Sequence, residues 1–399
     1  MSRPASASAT GTAPLGRAMR EHFLLGSGSF LNHGSYGACP RVVADEQLRL
    51  RAEMESHPDA FMARMYPDRE FRAPRRVAEA MAALTGTRRD ALALVENATT
   101  GVQAILNCLP FGPGDHILIT DHQYNAVRLG VEARCRDSGA TPVVVRIPLP
   151  TTADDIVERV LAAADRHVKL VVLDHITSPS ALVLPVERII PELRRRGIPV
   201  LLDGAHAIGQ LPLALDALGA DWYVTNMHKW AYAPRGSAML YASAAAAPLT
   251  RPVLTSHYIG MGFPHSFDYV GTRDYTAWLA VPRALQFLCD LGPERLWSHE
   301  AQLITAATQS LLAAGAVEIA PASLSTAMRA FLLPQKRPAL DADAAGVIRT
   351  LWEQERIQIR CARIGSALLL RVCAQAYVDA DEMQALGAAL ARHGWPERR

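Results

Sequence analysis

From Leu92 onward the chain alternates short, almost wholly apolar runs with stretches of helical spacing, and this alternation restricts it to α/β folds. The runs are ALALV, ending at 95, then HILIT at 116–120, VVVRI at 143–147, KLVVLD at 169–174, IPVLLD at 198–203, WYVTN at 222–226 and SAMLY at 237–241. Between them, Ile156, Val157, Val160, Leu161 and Ala164 fall on one face of a helix. Strands that are apolar on both faces and separated by helices predict a mostly parallel sheet covered on both sides. After 275 the pattern changes. Helices are expected over 275–290, 295–314, 343–355 and 381–392, and strands near 329–333 and 368–372. This part reads as a small α+β domain. The expected division is a disordered tail at 1–20, an N-terminal segment with the large domain at 21–275, and the small domain at 276–399. The segment 21–70 is expected to join the small domain or line the cleft.

Composition narrows the class. Half the residues are hydrophobic and 20% are charged, as in a soluble globular protein. A net charge of +2 without a dense Lys/Arg run argues against a nucleic-acid partner. No stretch approaches the ~20 apolar residues of a membrane span, and the first twenty residues lack the apolar run of a signal peptide. The six cysteines, at 39, 108, 135, 289, 361 and 373, form no CxxC pair. They read as small buried hydrophobes in a reducing, cytoplasmic setting, with no metal site expected.

In an open α/β sheet, ligands gather beyond the carboxyl ends of the strands. The residues at or beyond those ends include Ala98-Thr99-Thr100-Gly101, Asp121-His122-Gln123-Tyr124, His175-Ile176-Thr177-Ser178, Asp203-Gly204-Ala205-His206 and Asn226-Met227-His228-Lys229. Taken alone, each has an ordinary explanation: an Asp that caps a turn, a solvated Lys, a Thr pair at a helix start. Together they match the needs of pyridoxal 5'-phosphate (PLP). Its aldehyde needs an amine, for which Lys229 serves. Its ring nitrogen needs a carboxylate, here Asp203, to keep the ring an electron sink. Its phosphate needs hydroxyls at a helix start, as at Thr99 and Thr100. Its ring needs a flat partner, as Tyr124 could be.

VENATTGVQAIL, VLLDGAHAIGQ, NMHKW followed by RGSAMLY, and LRVCAQAYV resemble the class V aminotransferase family of fold-type I PLP enzymes. FLNHGSYGACP and DHITSPSALVLPVERI narrow the likeness to isopenicillin N epimerase-like proteins. The resemblance covers about 30–379. It implies a Schiff base on Lys229, Asp203 at the pyridine nitrogen, and His206 facing the phenolic oxygen. It implies Thr99, Thr100, Asn226 and His228 on the phosphate side, and Tyr124 stacked on the ring. Thr272 would reach the phosphate of a neighbouring subunit, so a homodimer is implied. Arg371 would hold the α-carboxylate of an amino-acid substrate, with Asn32, His33 and Ser178 on the substrate side.

Two departures matter. Cysteine desulfurases of this class carry a nucleophilic Cys on a long loop before the last strand, whereas only a few residues separate Cys361 from that strand here. His206 also stands where Gln is commoner. The common chemistry is α-proton removal by Lys229. Epimerisation is the favoured outcome, with β-elimination from a cysteine conjugate or sulfoxide, and transamination, as alternatives. A second acid for epimerisation could be His33, Tyr66, Tyr258 or His265.

Overall fold

A computed structural model of the chain describes residues 14–69 and 72–395. Two short strands, β1 (Ser29–Phe30) and β11 (Ile357–Gln358), pair in parallel and tie the N-terminal segment to the small domain. The large sheet contains β2 (Leu92–Val95), β3 (His116–Thr120), β4 (Thr141–Val145), β5 (Val168–Asp174), β6 (Val200–Asp203), β7 (Trp222–Asn226) and β8 (Ala238–Ala242). Its order is β2-β8-β7-β6-β5-β3-β4, and only β8 runs against the rest. The α/β architecture read from the sequence is therefore the one found. The central strands β6, β7 and β8 are buried along their whole length, which is why they read as unbroken apolar runs.

The run at 143–147 lies two residues earlier than expected, at Thr141–Val145. This strand is an edge, where Pro142 costs no ladder hydrogen bond. Ile147 has already left the sheet, and its N–H donates to Asp121 Oδ1 at 2.9 Å.

The small sheet runs β12-β13-β10-β9, with β9 (Val317–Glu318), β10 (Met328–Leu333), β12 (Arg360–Ile364) and β13 (Ala367–Cys373), all antiparallel. Helices Pro293–Ala313 and Asp341–Glu355 pack beside it, and Ala380–Arg392 packs against both of them. The last begins in a capping box between Asp379 and Glu382.

The expected tail needs correction at its inner end. Arg17–His22 is a short 3-10 helix, Met19 is fully buried, and the Gly16 N–H donates to the Ala376 carbonyl at 2.7 Å. One fully buried apolar side chain outweighs the polar composition around it. Residues 1–13 lie outside the described residues. Among the described residues, no helix is long and apolar enough to cross a membrane.

Candidate active site

The parallel strands bring their C-terminal ends to one edge, and the buried amine lies there. Lys229 follows β7 by three residues and is 9% exposed. Burial, and after it the positive charge of Arg371, lower its pKa to about 8. Its Nζ is 3.2 Å from His206 Nε2. On the other side of that ring, Trp230 Nε1–H donates to His206 Nδ1 at 3.3 Å. An imidazole accepting at Nδ1 carries its hydrogen on Nε2 when neutral. Burial, with the charges of Lys229 and Arg371, holds His206 well below its ordinary pKa and so neutral. Trp230 therefore makes His206 a donor on the face it shares with Lys229, and an Nε2–H there calls for an amine with a free lone pair.

Asp203 ends β6, is 2% exposed, and accepts the Ala205 N–H at 2.9 Å. Burial pushes its carboxyl up, while that N–H and Lys229 pull it down. In register beside it on β5 is Asp174, also buried, with Oδ2 lacking any hydrogen-bond partner among the described residues. Burial and then the Asp203 charge push Asp174 well above the usual carboxylate range, because two buried neighbours cannot both ionise cheaply. The sequence reading did not single out Asp174. The signal was present in two apolar runs that both end in Asp.

The helix Ala98–Cys108 starts directly after β2. Asn97 Oδ1 accepts the Thr100 N–H at 2.9 Å, and Asn226 Oδ1 accepts the Ala98 N–H at 2.9 Å. Asn226 thus braces the helix start, while Thr99 is exposed and Thr100 half-buried at its positive end. His228 pairs through Nδ1 with the Ser237 carbonyl at 3.2 Å, and burial lowers its pKa to about 4. A nearby anion would raise that value and turn Nε2 into a donor. Tyr124 is 44% exposed at the start of helix Asn125–Ser138. Thr272 is exposed, with Oγ1 3.1 Å from the Tyr269 hydroxyl.

Arg371, on β13, is 2% exposed. One Nη donates to the Ser178 carbonyl at 2.6 Å, and the other to Asn32 Oδ1 and Ser35 Oγ, both at 3.0 Å. Its Nε has no partner, and among the described residues no carboxylate lies within ion-pair distance. A buried cation held only by neutral oxygens is costly, and a carboxylate would complete it. Asn32 and Ser178 therefore support Arg371, as does Ser35, which the sequence reading passed over.

His33 is fully buried. Its Nε2–H donates to the Lys229 carbonyl at 3.0 Å, and Nδ1 accepts from the Tyr377 hydroxyl at 2.8 Å. Burial lowers its pKa to about 4. It pins the N-terminal segment to the lysine loop. Gly37 allows that approach: at φ +70°, a Cβ there would sit 2.0 Å from the His228 carbonyl oxygen. Tyr66, Tyr258 and Tyr269 cluster together, Tyr258 donates to Asp68, and His265 lies 3.5 Å from Asp268. No hydrogen bond joins these groups to Lys229 or Arg371 among the described residues. Cys361 is on β12, buried, with its thiol pushed up to about 12, which makes it a poor nucleophile.

The residues fit PLP: a buried amine, a buried carboxylate with an oxygen to spare, and an open helix start. No group of three or more potential metal ligands occurs among the described residues.

The model of the family described as aminotransferase class-V matches residues 63–378. The chain is 31% identical over 382 residues to isopenicillin N epimerase of Amycolatopsis lactamdurans, covering 90% of this chain and 94% of that protein. It is 35% identical over 277 residues to putative L-cysteine desulfhydrase 1 of Oryza sativa subsp. japonica, covering 65% of this chain and 56% of that protein, so it spans about half of that relative's length. Among solved structures, the cystine C–S lyase C-DES in complex with its reaction product cysteine persulfide superposes with a TM-score of 0.79 at 22% identity, covering 92% of this chain and 98% of that one. The chain belongs to the class V aminotransferase family, a family of PLP-dependent enzymes.

Proposed function

We propose that this chain binds PLP and removes the α-proton of an α-amino acid, with epimerisation as the first reading. The observation that carries it is Arg371, a buried guanidinium without a carboxylate partner among the described residues and with Nε unused. A planar fork of donors suits a substrate carboxylate. When bound, PLP supplies a ring that accommodates negative charge at the α-carbon. Lys229 would hold it and, when free, accept the α-proton, which an amine with a pKa of about 8 does well near neutral pH. Asp203 would face the ring nitrogen, and His206 Nε2–H would donate to the phenolic oxygen. Thr99, Thr100, Asn226 and His228 would hold the phosphate side, with Tyr124 against the ring. Asn32 and Ser178 orient Arg371, and His33 fixes the Lys229 backbone. Thr272 would serve the partner subunit of a homodimer. The six cysteines are unpaired, which suits the reducing cytoplasm.

Epimerisation is supported by the likeness to isopenicillin N epimerase across 90% of the chain. A second reading, C–S bond cleavage, is favoured by His33, whose two ring nitrogens are both engaged and leave Lys229 as the available base. The test is to incubate the PLP-loaded protein with L-amino acids and cysteine conjugates, with chiral chromatography run beside pyruvate and sulfide assays. Inversion at the α-carbon without pyruvate is expected. Pyruvate with a released thiol would replace the first reading by the second. No turnover of any amino acid would overturn both.

A further inference from the structure

Between the loop after β6 and the small domain lies a cavity of about 350 Å³, whose walls include Gln210, Trp297, Glu300, Ile304, Thr326 and Arg329. That volume is in the range of small-molecule sites. It is not formed by the residues assigned above to cofactor or substrate.

Glu300 is the unusual member. It lies within helix Pro293–Ala313, is 2% exposed, and its carboxylate has no hydrogen bond or ion pair among the described residues. Native proteins rarely leave a buried carboxylate without a partner. Arg329, the cation on the same wall, is already engaged: Nη2 meets Glu318 at 2.5 Å and Nη1 donates to Thr308 at 3.0 Å. Trp297 is fixed by its indole N–H, which donates to the Gly209 carbonyl at 2.7 Å, and it gives the cavity an aromatic surface of the kind that attracts cations. Gln210 ties this wall to the catalytic edge, donating to the His206 carbonyl at 2.6 Å and accepting from Thr326 at 2.7 Å.

We propose that this cavity binds a small organic cation, a guanidinium or protonated amine, with Glu300 as its counter-ion and Trp297 as its aromatic wall. The charged group on the same wall is Arg329, already paired with Glu318; a charge on Glu300 would raise the pKa of the buried Tyr232, Tyr377 and Cys373, which burial already raises. Burial likewise holds Glu300 well above the usual carboxylate range while the cavity is empty. A bound cation favours the ionised carboxylate, so wherever the empty site holds that proton, binding expels it and affinity rises with pH.

The test is calorimetric titration of methylguanidinium, which does not condense with PLP, into the PLP-loaded protein at two pH values and in two buffers of different ionisation heat. Expected are one saturable site, close to one proton released per cation, and affinity rising by up to about tenfold per pH unit. Glu300→Gln keeps the side-chain shape and should weaken binding at least about tenfold, with an unchanged melting curve. Should that variant fail to fold, proton release by the unaltered protein decides. No saturable binding, binding without proton release, or equal affinity in a folded Glu300→Gln protein would overturn the proposal.

Discussion

Arg371 and Ser178 join the two sheets: an Nη of the β13 arginine donates to the Ser178 carbonyl, in the loop beyond β5, at 2.6 Å. A small-domain cation is thereby held at the edge where the large domain presents Lys229. Arg371→Ala should lower kcat/KM by tens to thousands of fold, equivalent to about 2–5 kcal/mol, while the visible absorbance of bound PLP stays. Arg371→Lys should recover little, since an ammonium lacks the planar fork. Steady-state kinetics beside the absorbance spectrum checks this. A loss worth only about 0–1 kcal/mol would show that Arg371 does not hold the substrate carboxylate.

The lowered pKa of Lys229 makes a stability prediction for the cofactor-free protein. Its folded value, about 8, is below the ordinary 10.5, so between these values the unfolded chain binds more protons. Stability from this group therefore rises with pH across that window, by on the order of 3 kcal/mol. Lys229→Met should be more stable than the parent protein below pH 8, with the advantage fading toward 10.5. Urea unfolding of both proteins at several pH values measures it, and a constant difference would refute the burial of a strained amine.

Asp203→Asn should keep the fold and lose most activity, because an amide cannot hold a proton on a pyridine nitrogen. Asp174→Asn should stay near wild-type activity, because burial and the Asp203 charge favour the protonated form of that carboxyl. A folded pKa raised above 3.8 means that the unfolded state alone releases the proton as pH rises, so stability is lost with rising pH. Asp174→Asn should therefore melt higher than wild type at pH 7, and the gain should shrink toward pH 3. A destabilised, inactive Asp174→Asn protein would show that its charge is needed.

Tyr124 and Thr272 are both exposed on a single chain. A homodimer that covers them should give twice the chain mass by light scattering, and PLP affinity should fall on dilution below the dimer's dissociation. A monomer that binds PLP and turns over would contradict the role assigned to Thr272.

The sequence showed the large sheet because β6, β7 and β8 are buried on both faces and so are apolar throughout. It concealed β12, where Arg360 and Arg363 are exposed and break the pattern. The edge strand β4 was displaced for a related reason: an edge tolerates Pro142, which reads as a boundary. Lys229, Asp203 and His206 stood out because each follows an apolar run. What Trp230 does to His206 was hidden, since a tautomer is set by a contact 24 residues away. His33 looked like a substrate-side acid, and only the geometry reveals its two hydrogen bonds to Lys229 and Tyr377.

The most direct measurement is borohydride reduction of the PLP-loaded protein followed by peptide mapping. The chain has three lysines, Lys169, Lys229 and Lys336. Only Lys229 is buried, and only it lies beside Asp203 and His206. The label should be found on the peptide containing Lys229, and Lys229→Ala should abolish it without unfolding the protein. A label on Lys169 or Lys336, or a folded protein that takes up no PLP, would contradict the central claim.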